Sequence, residues 1–171
     1  MRRKEREMPA EFGWQVVDQC DYAVLAMIDT AGMPYAVPLS IAREGEKIYF
    51  HAAGQGDKTD NLRQNPNICL VCVSDVKPLP QEFSTEYASA ILRGQVAEVT
   101  DDTEKIAALR LICQRYAAAN MAEFESAISR SLNRTAVWRV DVASITAKRK
   151  KNDKYGREMR FGRMDDGEQP E

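Results

Sequence analysis

The sequence predicts a mainly β protein with helices, built as an antiparallel barrel or as a two-sheet sandwich. Three observations lead there. Six short segments rich in aromatic and β-branched residues recur between clusters of Gly, Asp, Asn and Pro. A short polar helix lies between the third and the fourth. Helical stretches with apolar residues at helical spacing precede the sixth.

The first element is a helix over Met8–Cys20, with Phe12, Val16, Val17 and Cys20 on one face and Trp14 off it. Tyr22–Ile28 is a strand apolar at nearly every position, which predicts burial on both sides. Asp29–Gly32 turns it back, with Gly32 free to take a positive φ. Tyr35–Arg43 returns, interrupted by Pro38. Proline gives a ladder no N–H, so Pro38 marks an edge, a bulge, or a place where something other than a strand lies alongside. Glu44–Glu46 turns into the third strand, Lys47–His51.

Asn67–Ser74 is a second strand apolar on both faces, followed by a loop over Val76–Ser84 with two prolines. Glu86–Thr100 is a long strand. Ala88, Ala90, Leu92 and Gly94 form its core row, and Tyr87, Ser89, Ile91 and Arg93 an amphipathic row that suits a dimer interface, a ligand wall or solvent. Thr100–Asp101–Asp102–Thr103 starts, by capping chemistry, a helix whose apolar face is Ile106, Leu109, Ile112, Cys113 and Tyr116. Met121, Phe124, Ile128 and Leu132 form a second helical face. Trp138, Val140 and Val142 alternate with polar residues along the last strand, Thr135–Thr146.

At 171 residues the chain has the length of one domain, enough to bury roughly 70% of its unfolded surface. The expected organisation is a single domain over residues 1–150 and a polar tail over 151–171, solvated despite its basic block. A net charge of -2 offers no global field to nucleic acid or to an anionic membrane. No apolar run approaches the ~18 residues of a bilayer span. The opening MRRKEREMPAE has charges with no apolar stretch behind them. A cytoplasmic protein without nucleic-acid or membrane partners is therefore expected. The four cysteines do not read as a disulfide framework in a chain with this much core. Cys69 and Cys72 have a metal-like spacing. No second pair or histidine follows at ligand distance, so no metal site is expected.

The chemistry concentrates in Ile48–Pro66, IYFHAAGQGDKTDNLRQNP. IYFH ends a strand at His51, the only histidine. GQG is a loop without bulk, where a ligand can approach the backbone. DKTDNLRQNP reads as a helix with Asp57 as its cap and Pro66 beyond its stop. A glycine loop entering a helix presents free N–H groups and the positive end of the helix dipole, which suits an anion, with Lys58 in the first turn. The glycine spacing matches neither a P-loop nor a dinucleotide fingerprint.

This stretch resembles the FMN-binding split barrels related to pyridoxamine-phosphate oxidase, and within them the nitroimidazole-resistance branch. Tyr49–Phe50–His51, Gly56, Lys58 and Asn65–Pro66, followed by a hydrophobic strand, carry the resemblance. It implies an antiparallel six-stranded split barrel with an embedded helix and a helical insertion, assembled as a homodimer with FMN between the subunits. It implies that Lys58 contacts the FMN phosphate, where Asp57 occupies a position that is often basic in the family. It implies that Val37, Pro38, Leu39 and Ser40 run along the ring, and that His51, Ala52, Ala53 and Asn61 line the cofactor. Tyr87 and Ser89 match a Y-x-S pattern contributed by the other subunit, and Trp138 would be a pocket wall. The implied activity is oxidoreduction, with electrons from a reduced nicotinamide passed to a small nitroaromatic or related acceptor and His51 as the candidate for proton transfer. A haem-binding or haem-degrading barrel with His51 on iron, a non-catalytic flavin sensor, and deazaflavin in place of FMN are the other readings.

Overall fold

A computed structural model of the chain describes residues 2–162. In chain order its elements are β1 (Glu7–Met8), α1 (Ala10–Gln19), β2 (Ala23–Ile28), β3 (Pro34–Leu39), β4 (Ala42–Glu44), β5 (Lys47–Ala53), α2 (Asp57–Gln64), β6 (Asn67–Leu79), β7 (Ser84–Glu98), α3 (Asp102–Tyr116), α4 (Phe124–Ser131) and β8 (Thr135–Lys150). The strands order as β3-β2-β6-β7-β8-β5-β4, with β1 pairing β8. The residues divide into two compact units.

The larger unit comprises Asp21–Leu70 and Leu92–Ser144. It holds the barrel. β3 and β4 are the two ends of the strand order, yet only Ser40 and Ile41 separate them in the chain. Three Cα steps span at most about 11 Å, so the two ends of the sheet must meet, and the sheet curls shut. This is the split barrel, an antiparallel sheet with helices. Leu25, Phe50, Leu70, Leu92 and Trp138 are fully buried inside it. The opposite face of β5 and β8 carries a second core, in which Tyr49, Val99 and Val137 pack against Ala108, Leu109, Ile112, Phe124 and Ile128 of α3 and α4. Asp101 caps α3 by accepting from Glu104 N at 2.8 Å, as the sequence predicts. Arg139 Nη1 donates to Glu104 at 3.0 Å and Tyr49 Oη donates to it at 3.1 Å. That hydrogen bond and burial push the Tyr49 phenol up to about 12, burial being the larger cause.

The smaller unit comprises the residues up to Cys20, Val71–Ile91 and those from Ile145 onward. α1 buries Gly13, Val16 and Val17. A Cβ at Gly13 would lie 2.7 Å from Ile145 Cδ1, so the helix approaches β8 at a distance only glycine permits.

The structure departs from the sequence reading at several elements. The expected loop over Val76–Ser84 shrinks to a short turn: β6 continues through Pro78 to Leu79, Pro80–Glu82 form a single helical turn, Phe83 follows in the left-handed region, and β7 starts at Ser84. Pro78 is exposed there, where a missing N–H costs little. Tyr35–Arg43 is divided into β3 and β4, and β1 is added, giving eight strands instead of six. β8 runs to Lys150, beyond the expected Thr146, because Lys148 and Ala147 pair with Glu7 and Met8. The expected tail begins as a small hairpin: Asn152 bridges Glu158, Phe161 N donates to Glu5 O at 2.8 Å, and Arg6 pairs with Glu158. The rest of that expected tail lies outside the described residues. β2 and β6 bury one row each. Their second rows stay partly exposed, with Ile28 at 39% and Val73 at 44%.

Candidate functional site

The site is built where β5 hands over to α2. Along β5, Ile48, Phe50 and Ala52 are buried, while His51 and Ala53 are exposed on the alternate face. His51 lies opposite Val137 in the ladder with β8. The chain then turns through Gly54–Gln55–Gly56. Gly56 has φ 118°, with nothing within 4 Å of where a Cβ would stand. Both the conformation and the open space suit a ligand against the backbone.

Gly56, and not Asp57, occupies the N-cap of α2, and no side chain caps the helix. The sequence pointed to Asp57 because aspartate is a common cap, but the left-handed turn needs glycine at this position. The first N–H groups of α2 are therefore open to an external acceptor. Lys58 projects from this turn, half-buried, with Nζ 6.0 Å from the Phe50 ring centroid. Burial lowers the Lys58 pKa. The protein around His51 and, second, the Lys58 ammonium lower the imidazole pKa below its ordinary 6.5.

The other side of the same turn is acidic. Asp57 and Asp60 stand in the first turn and, with Asp29, Thr30, Tyr35 and Asn61, line a depression of about 200 Å³. Charge at the helix start is thus sided, with carboxylates toward the β2–β3 turn and the ammonium toward β5.

α2 contains one apolar residue, Leu62, so polar groups do most of its anchoring. Buried Thr59 donates to Ala53 O at 2.9 Å, and buried Asn61 accepts from Thr30 N at 3.1 Å. Arg63 holds both oxygens of Glu98 and donates to Gly54 O at 3.2 Å, tying the glycine loop to the helix end. Asn61 is therefore a structural clamp whose carbonyl is already engaged. Thr59 and Arg63 went unread in the sequence. The signal for them was a helix with too few apolar residues to dock by hydrophobic burial alone.

β3 is an end strand, with Pro38 opposite Val24. Val37 is half-buried, Pro38 and Ser40 are exposed, and Leu39 is buried in the core. The Ser40–Ile41 crossing is fixed from outside: Tyr116 Oη accepts from Ile41 N at 3.2 Å and donates to Ile41 O at 3.1 Å. Trp138 faces Phe50 across the ladder and is 2% exposed, a core residue and not an open wall; its Nε1 has no hydrogen-bond partner among the described residues. Tyr87 and Ser89 belong to the smaller unit, half-buried on β7. The four cysteines are free thiols, and no cluster of metal-binding side chains occurs among the described residues. No helix among them is long and apolar enough to cross a membrane.

An FMN phosphate fits this arrangement at an uncapped helix start with a bulk-free glycine turn and an adjacent ammonium. The profile of the family described as pyridoxamine 5'-phosphate oxidase matches residues 10–149. The structure is similar to a putative 5-nitroimidazole antibiotic resistance protein from Bacteroides thetaiotaomicron, at 25% identity and TM-score 0.69, over 83% of this chain and 85% of that one. It also resembles a FAD and haem binding protein from Mycobacterium smegmatis at 19% identity and TM-score 0.71, over 85% and 73%. A flavocytochrome from Azotobacter vinelandii matches at 18% identity and TM-score 0.70, over 95% and 81%. A search of curated proteins gives no significant match.

Proposed function

We propose a function from one premise: the chain belongs to the pyridoxamine 5'-phosphate oxidase family. It is an FMN-dependent oxidoreductase that passes electrons from a reduced nicotinamide to a small aromatic acceptor, with a nitroaromatic as the first candidate. The observation that carries this reading is the uncapped start of α2 with Lys58 beside it and His51 on the adjoining strand. The likeness to the putative nitroimidazole resistance protein supports the choice of acceptor.

When bound, FMN supplies the hydride and electron chemistry. The protein binds and orients. Lys58 and the first N–H groups of α2 hold the phosphate. Val37, Pro38 and Ser40, with the exposed flank of β5 at His51 and Ala53, line the ring and the chain attached to it. Tyr116 positions the Ser40–Ile41 backbone by its paired bonds. The lowered pKa of His51 favours the neutral imidazole, in which a ring nitrogen can accept a proton and return it. In a homodimer, Tyr87 and Ser89 would come from the second copy.

The test is turnover of reduced nicotinamide with a nitroaromatic acceptor by the FMN-loaded protein. His51→Ala should retain FMN and slow the reaction by roughly 10²–10⁴-fold. Full flavin occupancy without nicotinamide oxidation would leave a flavin-binding sensor. A haem reading rests on the exposed imidazole of His51 and on the likeness to a FAD and haem binding protein. The Lys58 ammonium, close enough to depress that imidazole, opposes a cationic iron there.

A further inference from the structure

A second cleft, of about 480 Å³, lies in the smaller unit between the outer part of the β6–β7 hairpin and the end of β8. Four cationic side chains line it, Lys77, Arg149, Lys150 and Lys151, against two carboxylates, Asp75 and Glu86. In a chain of net charge -2 this is a local reversal of sign. The carboxylates are partly committed. Glu86 accepts from Asn152 N at 2.7 Å, and Asp75 stands 3.9 Å from Arg149. Lys150 Nζ donates to Ser84 Oγ, which steers that ammonium along the cleft. Arg149 is held by two aromatic rings, Phe12 at 5.3 Å and Phe161 at 5.5 Å. A guanidinium fixed in this way loses little freedom when it takes a ligand. Lys77 and Lys151 are exposed and carry no ion pair among the described residues.

The geometry points to this cleft as a binding site for a phosphate-bearing small molecule, a phosphate monoester or a diphosphate. The cationic excess of two matches a dianion. The volume exceeds that of one phosphate group and leaves room for an organic part. A preorganised arginine with flanking lysines is the donor set such a ligand uses. The proposal does not depend on where, or whether, a flavin binds at α2.

Calorimetric titration of the full chain with pyrophosphate tests it, beside the Lys77→Gln/Lys151→Gln variant and a short oligothymidylate. Both substituted side chains are exposed, so the variant should melt where the wild type does. Saturable pyrophosphate binding, weakened about a hundredfold or more in the variant, is expected, since each of the two lost charge-assisted bonds is worth roughly tenfold or more. Flavin occupancy, read from visible absorption, should be the same in both proteins. No saturation in the millimolar range, or equal affinity in the variant, would overturn the site. A parallel loss of flavin would overturn its independence from α2. Oligothymidylate binding more tightly than pyrophosphate through the same lysines would make the surface a nucleic-acid one and overturn the small-molecule assignment.

Discussion

His51 is the only histidine in the chain, so one imidazole signal reports on the site without assignment. Its side chain is exposed at the surface, yet the protein around the ring displaces enough water to lower its pKa, with the Lys58 ammonium as the second cause. An NMR titration should show a midpoint below 6.5, and Lys58→Gln should move it upward; an unmoved midpoint would mean that the two side chains do not sense each other. The linkage has a definite sign. The unfolded chain takes up a proton near pH 6.5 that the folded chain refuses, so stability falls as pH drops through that value. His51→Gln should flatten that part of the profile. Lys58 has its own test. Lys58→Ala should weaken FMN by about ten- to a hundredfold and riboflavin hardly at all, because only FMN carries the phosphate. Equal small effects on both ligands would make Lys58 an ordinary surface lysine. At this scale the sequence showed the bulk-free turn before α2 but put the cap on Asp57, where Gly56 stands. Thr59, Asn61 and Arg63 were less legible, since their partners Ala53, Thr30 and Glu98 are fixed only by the fold.

Among the elements, those with a clean period were legible. The core row of β7 is buried as the alternation requires: Ala88, Ala90 and Leu92 show 0% exposure. Prolines hid the arm of the β6–β7 hairpin, because a strand that carries them at an exposed position looks like a loop. Charge hid the end of β8, because Arg149 and Lys150 line a cleft instead of a core. Gly94 tests the barrel wall. A Cβ there would lie 2.2 Å from Asp141 O, and a backbone atom cannot swing aside as a side chain can. Gly94→Ala should cost about 1–3 kcal/mol through overpacking, seen as a lower midpoint in urea. An unchanged midpoint would show that β7 and β8 separate freely at this point.

For the whole molecule, barrel closure followed from the order of strands and the two-residue link at Ser40–Ile41. The family resemblance selected a split barrel over a sandwich; composition and periodicity left both open. Assembly is a separate matter. Val73 and Ile91 of the smaller unit remain 44% and 41% exposed on β6 and β7. We propose that a second copy covers these rows. Light scattering at micromolar concentration should give twice the mass of 19.3 kDa per chain; the monomeric mass would remove the second-copy roles of Tyr87 and Ser89. The account as a whole turns on the cofactor. Its most direct test is the visible spectrum of the purified protein after incubation with FMN and gel filtration, with the released chromophore identified by mass. Two flavin bands are expected, with FMN as the molecule released. A Soret band, or a colourless protein that lets FMN pass through, would contradict this expectation.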